Sequence, residues 1–177
     1  NRIEAVQKVL NEKYNNQERI SVYVKQLDTD RVAAINDEKS MYAASVAKLG
    51  VLYYAQERLS QKKLSLSNEY QYTSTVNGFP GAYDPDGSGK ISKMTDDKNY
   101  SLENLLKAVA QNSDNVATNI LGYYVANQYD NSFQKSVDKA SATSWNMDKK
   151  ELTARAAGTL MEAIYRQNGD IINYLSS

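Results

Sequence analysis

Ser45 and Lys48 stand three residues apart in a chain that contains no histidine and no cysteine. On a helix that spacing puts the two side chains one turn apart, with β-carbons about 5–6 Å from each other. The serine is a candidate nucleophile and the lysine a candidate base for it. Without histidine no Ser-His-Asp triad can be assembled, and without cysteine no thiolate can act. A Ser/Lys pair is therefore one of the few routes to covalent catalysis open to this sequence.

Ser-x-x-Lys spacing occurs four times, at Ser45/Lys48, Ser60/Lys63, Ser132/Lys135 and Ser136/Lys139. Surroundings separate the four. Ser60 runs into the basic patch Gln61-Lys62-Lys63, and Ser132 and Ser136 lie in a polar stretch that begins at Asp130. Ser45 and Lys48 alone sit in an apolar run, from Met41 to Ala55, that reads as a largely buried helix. A lysine there needs a partner or a task, because burying an unpaired ammonium is costly and lowers its pKa.

The elements that must position this pair can be read from periodicity. Ile3, Val6, Val9 and Leu10 have helical spacing. Ile20, Val22 and Val24 alternate with polar neighbours as a half-buried strand, Asp28-Thr29-Asp30 reads as a turn, and Val32 to Ile35 returns as a hairpin. After Ala43 the period is helical throughout. Ser101 is a plausible N-cap for a helix whose stripe is Leu102, Leu105, Leu106 and Val109. Further helices are expected from about Val116 to Tyr129 and from Thr153 to Gln167, the latter stopped at Asn168-Gly169. The organisation expected is residues 1–38, a helix and hairpin, followed by 39–177, a mostly helical body. A lone hairpin is marginal, so the sheet reads as incomplete, with its other strands in sequence beyond Ser177.

Bulk properties narrow the class. With 41% hydrophobic and 24% charged residues in 177, the chain has the make-up of a globular protein with one core or two small ones. The formal net charge is +0 and the lysines are scattered, which argues against a nucleic-acid footprint. No apolar run approaches the roughly 20 residues of a membrane span. A start at Asn1 reads as a mature or trimmed form.

A second motif, Ser113-Asp114-Asn115, falls at the junction of two expected helices, 68 residues after Ser45. Alone it is ordinary helix punctuation. Ser-x-x-Lys at the head of a buried helix, followed by Ser-Asp-Asn between helices, resembles the penicillin-recognising serine enzymes, with class A β-lactamases nearest. Ser88-Gly89, the helix start Tyr100 to Leu106, and Thr153-Ala154-Arg155-Ala156-Ala157 resemble segments of the same family.

The resemblance implies an α+β, β-lactamase/transpeptidase-like fold, a mostly helical domain beside an antiparallel sheet flanked by helices. It implies Ser45 as the acylating nucleophile, Lys48 as the group that takes its proton, and Ser113 as the donor to the β-lactam nitrogen. Asn115 would bind the substrate's side-chain amide, Asp114 would hold the loop, and Tyr83 would flank the cleft as an aromatic gate. No cofactor or metal is implied. The partner would be a β-lactam or a peptidoglycan stem peptide, together with the chain's own C-terminal segment, in a secreted or cell-surface bacterial protein.

Two departures bear on turnover. The family's Lys-Thr-Gly strand is not in these 177 residues, and no glutamate stands in a Glu-x-x-x-Asn context between Asn115 and Thr153. The carboxylates available there are Asp130, Asp138, Asp148 and Glu151. Alternatives to a β-lactamase-like hydrolase are therefore a D-Ala-D-Ala-peptidase-like enzyme with slow deacylation, and a non-catalytic relative that binds cell wall or protein. Asp84 to Thr95 is spaced like an EF-hand calcium loop, but Thr95 replaces the bidentate glutamate and the segment reads as a structural turn. Most of the fourteen tyrosines read as core or boundary residues.

Overall fold

A computed structural model describes residues 1–91 and 94–177; Ser92 and Lys93 lie outside the described residues. Helix α1 (Arg2–Tyr14) begins where the Asn1 side chain accepts from Glu4 N at 2.9 Å. Its Ile3 and Leu10 bury against Ala33 of an antiparallel hairpin, β1 (Val22–Gln26) and β2 (Arg31–Ile35), in register from Val22 opposite Ile35 to Gln26 opposite Arg31. Gln7 bonds both backbone groups of Ala34, donating to its carbonyl at 2.8 Å and accepting from its N–H at 2.7 Å. One side chain thus satisfies the outer edge of β2 at this point, as a neighbouring strand would.

Helix α7 (Ala154–Gln167) packs on β1. Gly158 is what lets it approach: a β-carbon there would lie 2.4 Å from Tyr23 Cδ1. The Thr153 hydroxyl caps α7 by accepting from Ala156 N at 3.0 Å, and Asn168, in the left-handed region, ends it.

Strand β3 (Met41–Tyr42) leads into α2 (Ala44–Ala47) and α3 (Leu49–Ser60). Sequence periodicity predicts one helix here; the structure breaks it at Lys48. The cause is Trp145, whose indole Nε1 donates to Ala47 O at 3.2 Å. Val51 N, the ordinary partner of that carbonyl, bonds Lys48 O at 3.1 Å instead. The indole comes this close because residue 50 is glycine, where a β-carbon would stand 2.7 Å from Nε1.

The helical body follows. Strands β4 (Glu69–Gln71) and β5 (Asn99–Ser101) pair antiparallel, and β6 (Glu151–Leu152) pairs with β3. These short strands correct the expectation that nothing after Ala43 has strand character. Helix α4 (Leu102–Asn112) is capped by Ser101, whose hydroxyl accepts from Asn104 N, and its expected stripe of Leu102, Leu105, Leu106 and Val109 is buried. Helix α5 (Asn115–Tyr124) ends well before Tyr129, because Asn127, Gln128 and Tyr129 all take left-handed backbone. Helix α6 (Asn131–Ser141) forms where only a polar stretch was legible, capped by Asp130 and anchored by buried Phe133 and Val137. Helix α8 (Asp170–Leu175) closes the described chain.

The main core gathers Leu52, Tyr72, Leu105, Leu106, Ile120, Leu121, Phe133, Trp145, Leu160 and Ile164. Among the described residues no helix is long and apolar enough to cross a membrane, and no cluster of acidic residues is placed to hold a metal ion.

Candidate active site

The α4–α5 junction makes the site's polar frame. Ser113 ends α4 with φ 51° and ψ 43°. This left-handed turn leaves both its carbonyl and its hydroxyl free to accept from a side chain. Asp114 then starts α5, one carboxylate oxygen accepting from Ala117 N at 2.8 Å. Its other oxygen accepts from Lys90 N at 2.7 Å and Ile91 N at 3.0 Å. One buried carboxylate therefore caps a helix and fastens the 84–91 loop across it.

That loop can lie so close only through its glycines. A β-carbon at Gly87 would stand 2.2 Å from Asn115 Nδ2, and one at Gly89, with φ +125°, 2.3 Å from Asp114 Oδ2. Between them Ser88 donates its hydroxyl to Ser113 O at 2.7 Å, and Ser88 O accepts from Asn115 N at 2.9 Å.

Lys48 enters this frame from the break between α2 and α3. It is 3% exposed, and its Nζ donates to Ser113 O at 2.7 Å, Ser113 Oγ at 2.9 Å and Asn115 Oδ1 at 2.6 Å. All three donors of the ammonium are satisfied, each by an uncharged oxygen. Ser113 Oγ donates in turn to Ser45 Oγ at 3.3 Å. Among the described residues, the connection from Lys48 to the Ser45 hydroxyl thus runs through Ser113. Burial pulls the Lys48 pKa down to about 8, against the upward pull of the Asp114 carboxylate and with a further downward push from Lys150.

Tyr83 lies deeper than a gate would. It is 6% exposed, and its hydroxyl donates to Ala44 O at 2.7 Å, tying the ring to the start of α2. Asn119, fully buried in α5, clamps its backbone from both sides: Oδ1 accepts from Tyr83 N at 2.7 Å and Nδ2 donates to Tyr83 O at 2.8 Å. The Lys48 ammonium sits 4.8 Å from the Tyr83 ring centroid, and that of Lys150 sits 4.4 Å from it. Tyr83 lines the cleft while remaining almost wholly buried.

A cleft of about 370 Å³ opens over these groups, lined by Ser45, Lys48, Tyr83, Asn115 and Lys150 among others. All six residues singled out in the sequence therefore converge: five in direct contact with one another or with the cleft, and Asp114 directly beneath. Asn115 has one amide hydrogen already committed, donating to Asp84 O at 2.9 Å. The four candidate carboxylates separate. Asp130 caps α6, Asp138 accepts from Trp145 N and Gln134, and Glu151 lies exposed on β6. Asp148 lines the cleft.

Lys150 was missed in the sequence. Nothing distinguishes it there from Lys149, yet it is 8% exposed and adopts left-handed backbone with φ 56°. Its ammonium donates to Gly81 O at 3.0 Å and Met147 O at 3.2 Å.

A family model described as the beta-lactamase enzyme family matches residues 1–177. No curated protein matches the chain. Among solved structures, the chain is similar to PBP-A at 16% identity with a TM-score of 0.71, covering 92% of this chain and 62% of that one. It is similar to penicillin binding protein 6B from Escherichia coli at 16% identity and TM-score 0.68, over 84% of this chain and 50% of that one. A beta-lactamase from Sphaerobacter thermophilus DSM 20745 is similar at 15% identity and TM-score 0.67, over 92% and 62%. At these identities the likeness is one of fold, and the chain spans half to about three fifths of the length of these relatives.

Proposed function

Because the chain belongs to the beta-lactamase enzyme family, we propose that it is a serine hydrolase of the β-lactamase and penicillin-binding superfamily, acylated at Ser45 by β-lactams. The observation that carries this reading is the run of contacts Ser45 Oγ–Ser113 Oγ–Lys48 Nζ, at 3.3 and 2.9 Å, ending in a lysine buried without a carboxylate contact.

In the reaction proposed, neutral Lys48 accepts the Ser45 proton by way of the Ser113 hydroxyl. Ser45 Oγ then attacks the lactam carbonyl carbon and the carbon–nitrogen bond breaks. The proton returns through Ser113 to the leaving nitrogen, so Lys48 ends as it began. The Ser45 N–H, in the first turn of α2, has no intrahelical carbonyl to reach and suits the developing oxyanion. Asn115 keeps one amide hydrogen for the substrate's side chain, and Tyr83 lines the cleft with its hydroxyl tied to Ala44 O.

Fate of the acyl-enzyme separates the two enzymatic readings. Rapid hydrolysis makes a β-lactamase; a lasting adduct makes a penicillin-binding, D-Ala-D-Ala-peptidase-like enzyme that acts on peptidoglycan stem peptides. The second is favoured by the lining of the cleft, which includes buried Lys150 and, among the described residues, no glutamate. Either activity belongs outside the cytoplasm, in contact with the cell wall.

Incubation with a labelled penicillin, followed by intact mass, tests both. A single adduct that is absent from S45A and persists for many minutes fits the peptidase-like reading, whereas an adduct that turns over within seconds fits a lactamase. Absence of any adduct at millimolar penicillin, with no penicillin hydrolysed, would reject acylation at Ser45.

A further inference from the structure

Two buried ammonium groups share one tyrosine ring in this cleft, and the reaction proposed above uses only one of them. Lys150 reaches the ring from the segment before β6, about 100 residues from Lys48 in sequence. Two carbonyls, Gly81 O and Met147 O, hold its head in place. Its neighbour Lys149 is exposed, as a lysine without a task usually is.

We propose that Lys150 is a positioning residue for acylation: fixed over the ring that also carries Lys48, it supplies the positive charge that Lys48 meets across the cleft. The inference rests on the reading of Lys48 as the proton acceptor. The ring makes the arrangement tolerable, because its electron-rich face attracts both cations and offsets their mutual repulsion. The repulsion that remains favours losing a proton from one of them, and Lys48 is the one joined to the Ser113 hydroxyl. Desolvation depresses both amines, and Lys150 adds to the downward push on Lys48.

The other charges facing Lys48 are few. Asp114, from the start of α5, opposes the effect; Asp84, Asp148 and Lys149 line the same cleft, and Tyr83 stays a neutral phenol because burial pushes its pKa up. Asp148 in turn supports the charge on Lys150.

The test is the pH profile of penicillin acylation in K150Q, whose amide can still donate to one of the two carbonyls, and in K150R, which keeps the charge. In K150Q the rise in rate with pH should move to higher pH, making acylation about three- to tenfold slower at pH 7 and converging with wild type above pH 10. K150R should restore the wild-type limb. A rate lowered equally at every pH would make Lys150 a structural residue and overturn the proposal.

Lysine-labelled protein followed by heteronuclear NMR reads the same property without substrate, with the Lys48 resonance assigned through K48R. Lys48 should titrate higher in K150Q, and an unchanged midpoint would also overturn the proposal. If K150Q does not fold, K150R decides: a limb displaced from wild type although the charge is kept refutes the proposal. Should wild type take up no penicillin at all, the acylation reading fails while the NMR comparison still judges the charge coupling.

Discussion

Asp114 carries more of this site than any residue that touches the cleft, and replacing it separates its charge from its hydrogen bonds. It is 1% exposed and accepts three backbone N–H bonds, from Ala117, Lys90 and Ile91. Alanine removes all three. The lost helix cap costs about 1 kcal/mol, and the two part-buried bonds from Lys90 N and Ile91 N to a charged oxygen contribute about 1.5–3 kcal/mol each. D114A should therefore lose roughly 4–7 kcal/mol, a large part of a typical domain's stability. Asparagine keeps one oxygen, which can serve Lys90 and Ile91 while its NH₂ opposes Ala117 N, for a loss of about 2–3 kcal/mol. Thermal unfolding should fall by about 5–10 °C in D114N and roughly twice that in D114A. The assay is Trp145 fluorescence, which reports from the core because this buried indole is the chain's single tryptophan. D114N has a second consequence. Removing the carboxylate that pulls the Lys48 pKa upward should shift the acylation limb to lower pH, opposite to the effect of K150Q. A D114N protein as stable as wild type, with an unmoved limb, would refute both the bond accounting and the electrostatic reading.

Acylation of wild type should rise with pH through about 8, since Lys48 must lose its proton to act; its folded pKa lies below the ordinary 10.5, so the competent form gains ground from the neutral side. A rate flat from pH 6 to 9 would exclude Lys48 as the base. S113A breaks the path from Lys48 to Ser45 and should slow acylation about 10²–10⁴-fold while leaving Lys48 bonded to the 113 carbonyl; an effect under threefold would show direct transfer. G50A drives a β-carbon against the Trp145 indole and should cost about 1–3 kcal/mol with a shift in tryptophan emission, and unchanged emission would contradict the packing. G89A sets a β-carbon on the Asp114 carboxylate from a left-handed backbone and should detach the 84–91 loop, read as faster hydrogen exchange at Lys90 and Ile91.

What was legible in the sequence depended on whether the signal was local. The Ser45/Lys48 pair could be told from three look-alikes because its own neighbours are apolar, and the α4 stripe because four apolar residues repeat with one period. Strands β3 and β6 could not be read, since two residues cannot display alternation. Helix α6 offers only Phe133 and Val137 as an apolar stripe among polar residues, too few to outweigh Asp130-Asn131-Ser132 read as a loop. The break at Lys48 depends on Trp145, a residue 98 positions after the carbonyl it takes. Lys149 and Lys150 differ only in what the folded chain brings against them.

Lys48 and Lys25 show why burial with the right partners matters more than the residue type. Lys25 meets the Glu162 carboxylate at 2.9 Å and its pKa is raised. Lys48 meets three oxygens at 2.6–2.9 Å and its pKa falls. Contact distance is the same in both; Lys48 is the more deeply buried and its partners carry no charge. A carboxylate in contact favours the ammonium strongly, whereas a carbonyl, a hydroxyl and an amide oxygen satisfy its donors without replacing the hydration it loses. Asp114 supplies its negative charge from beneath the frame, its oxygens already committed to backbone N–H groups. Moving that carboxylate into contact with Lys48 would fix the cation and end its use as a base. It follows that exchanging Asn115 for aspartate, which places a carboxylate where Oδ1 now accepts from Lys48 at 2.6 Å, should raise the Lys48 pKa and abolish acylation at neutral pH, with activity recovered only toward pH 10. An N115D enzyme that acylates normally at pH 7 would mean that Lys48 acts as a cation throughout.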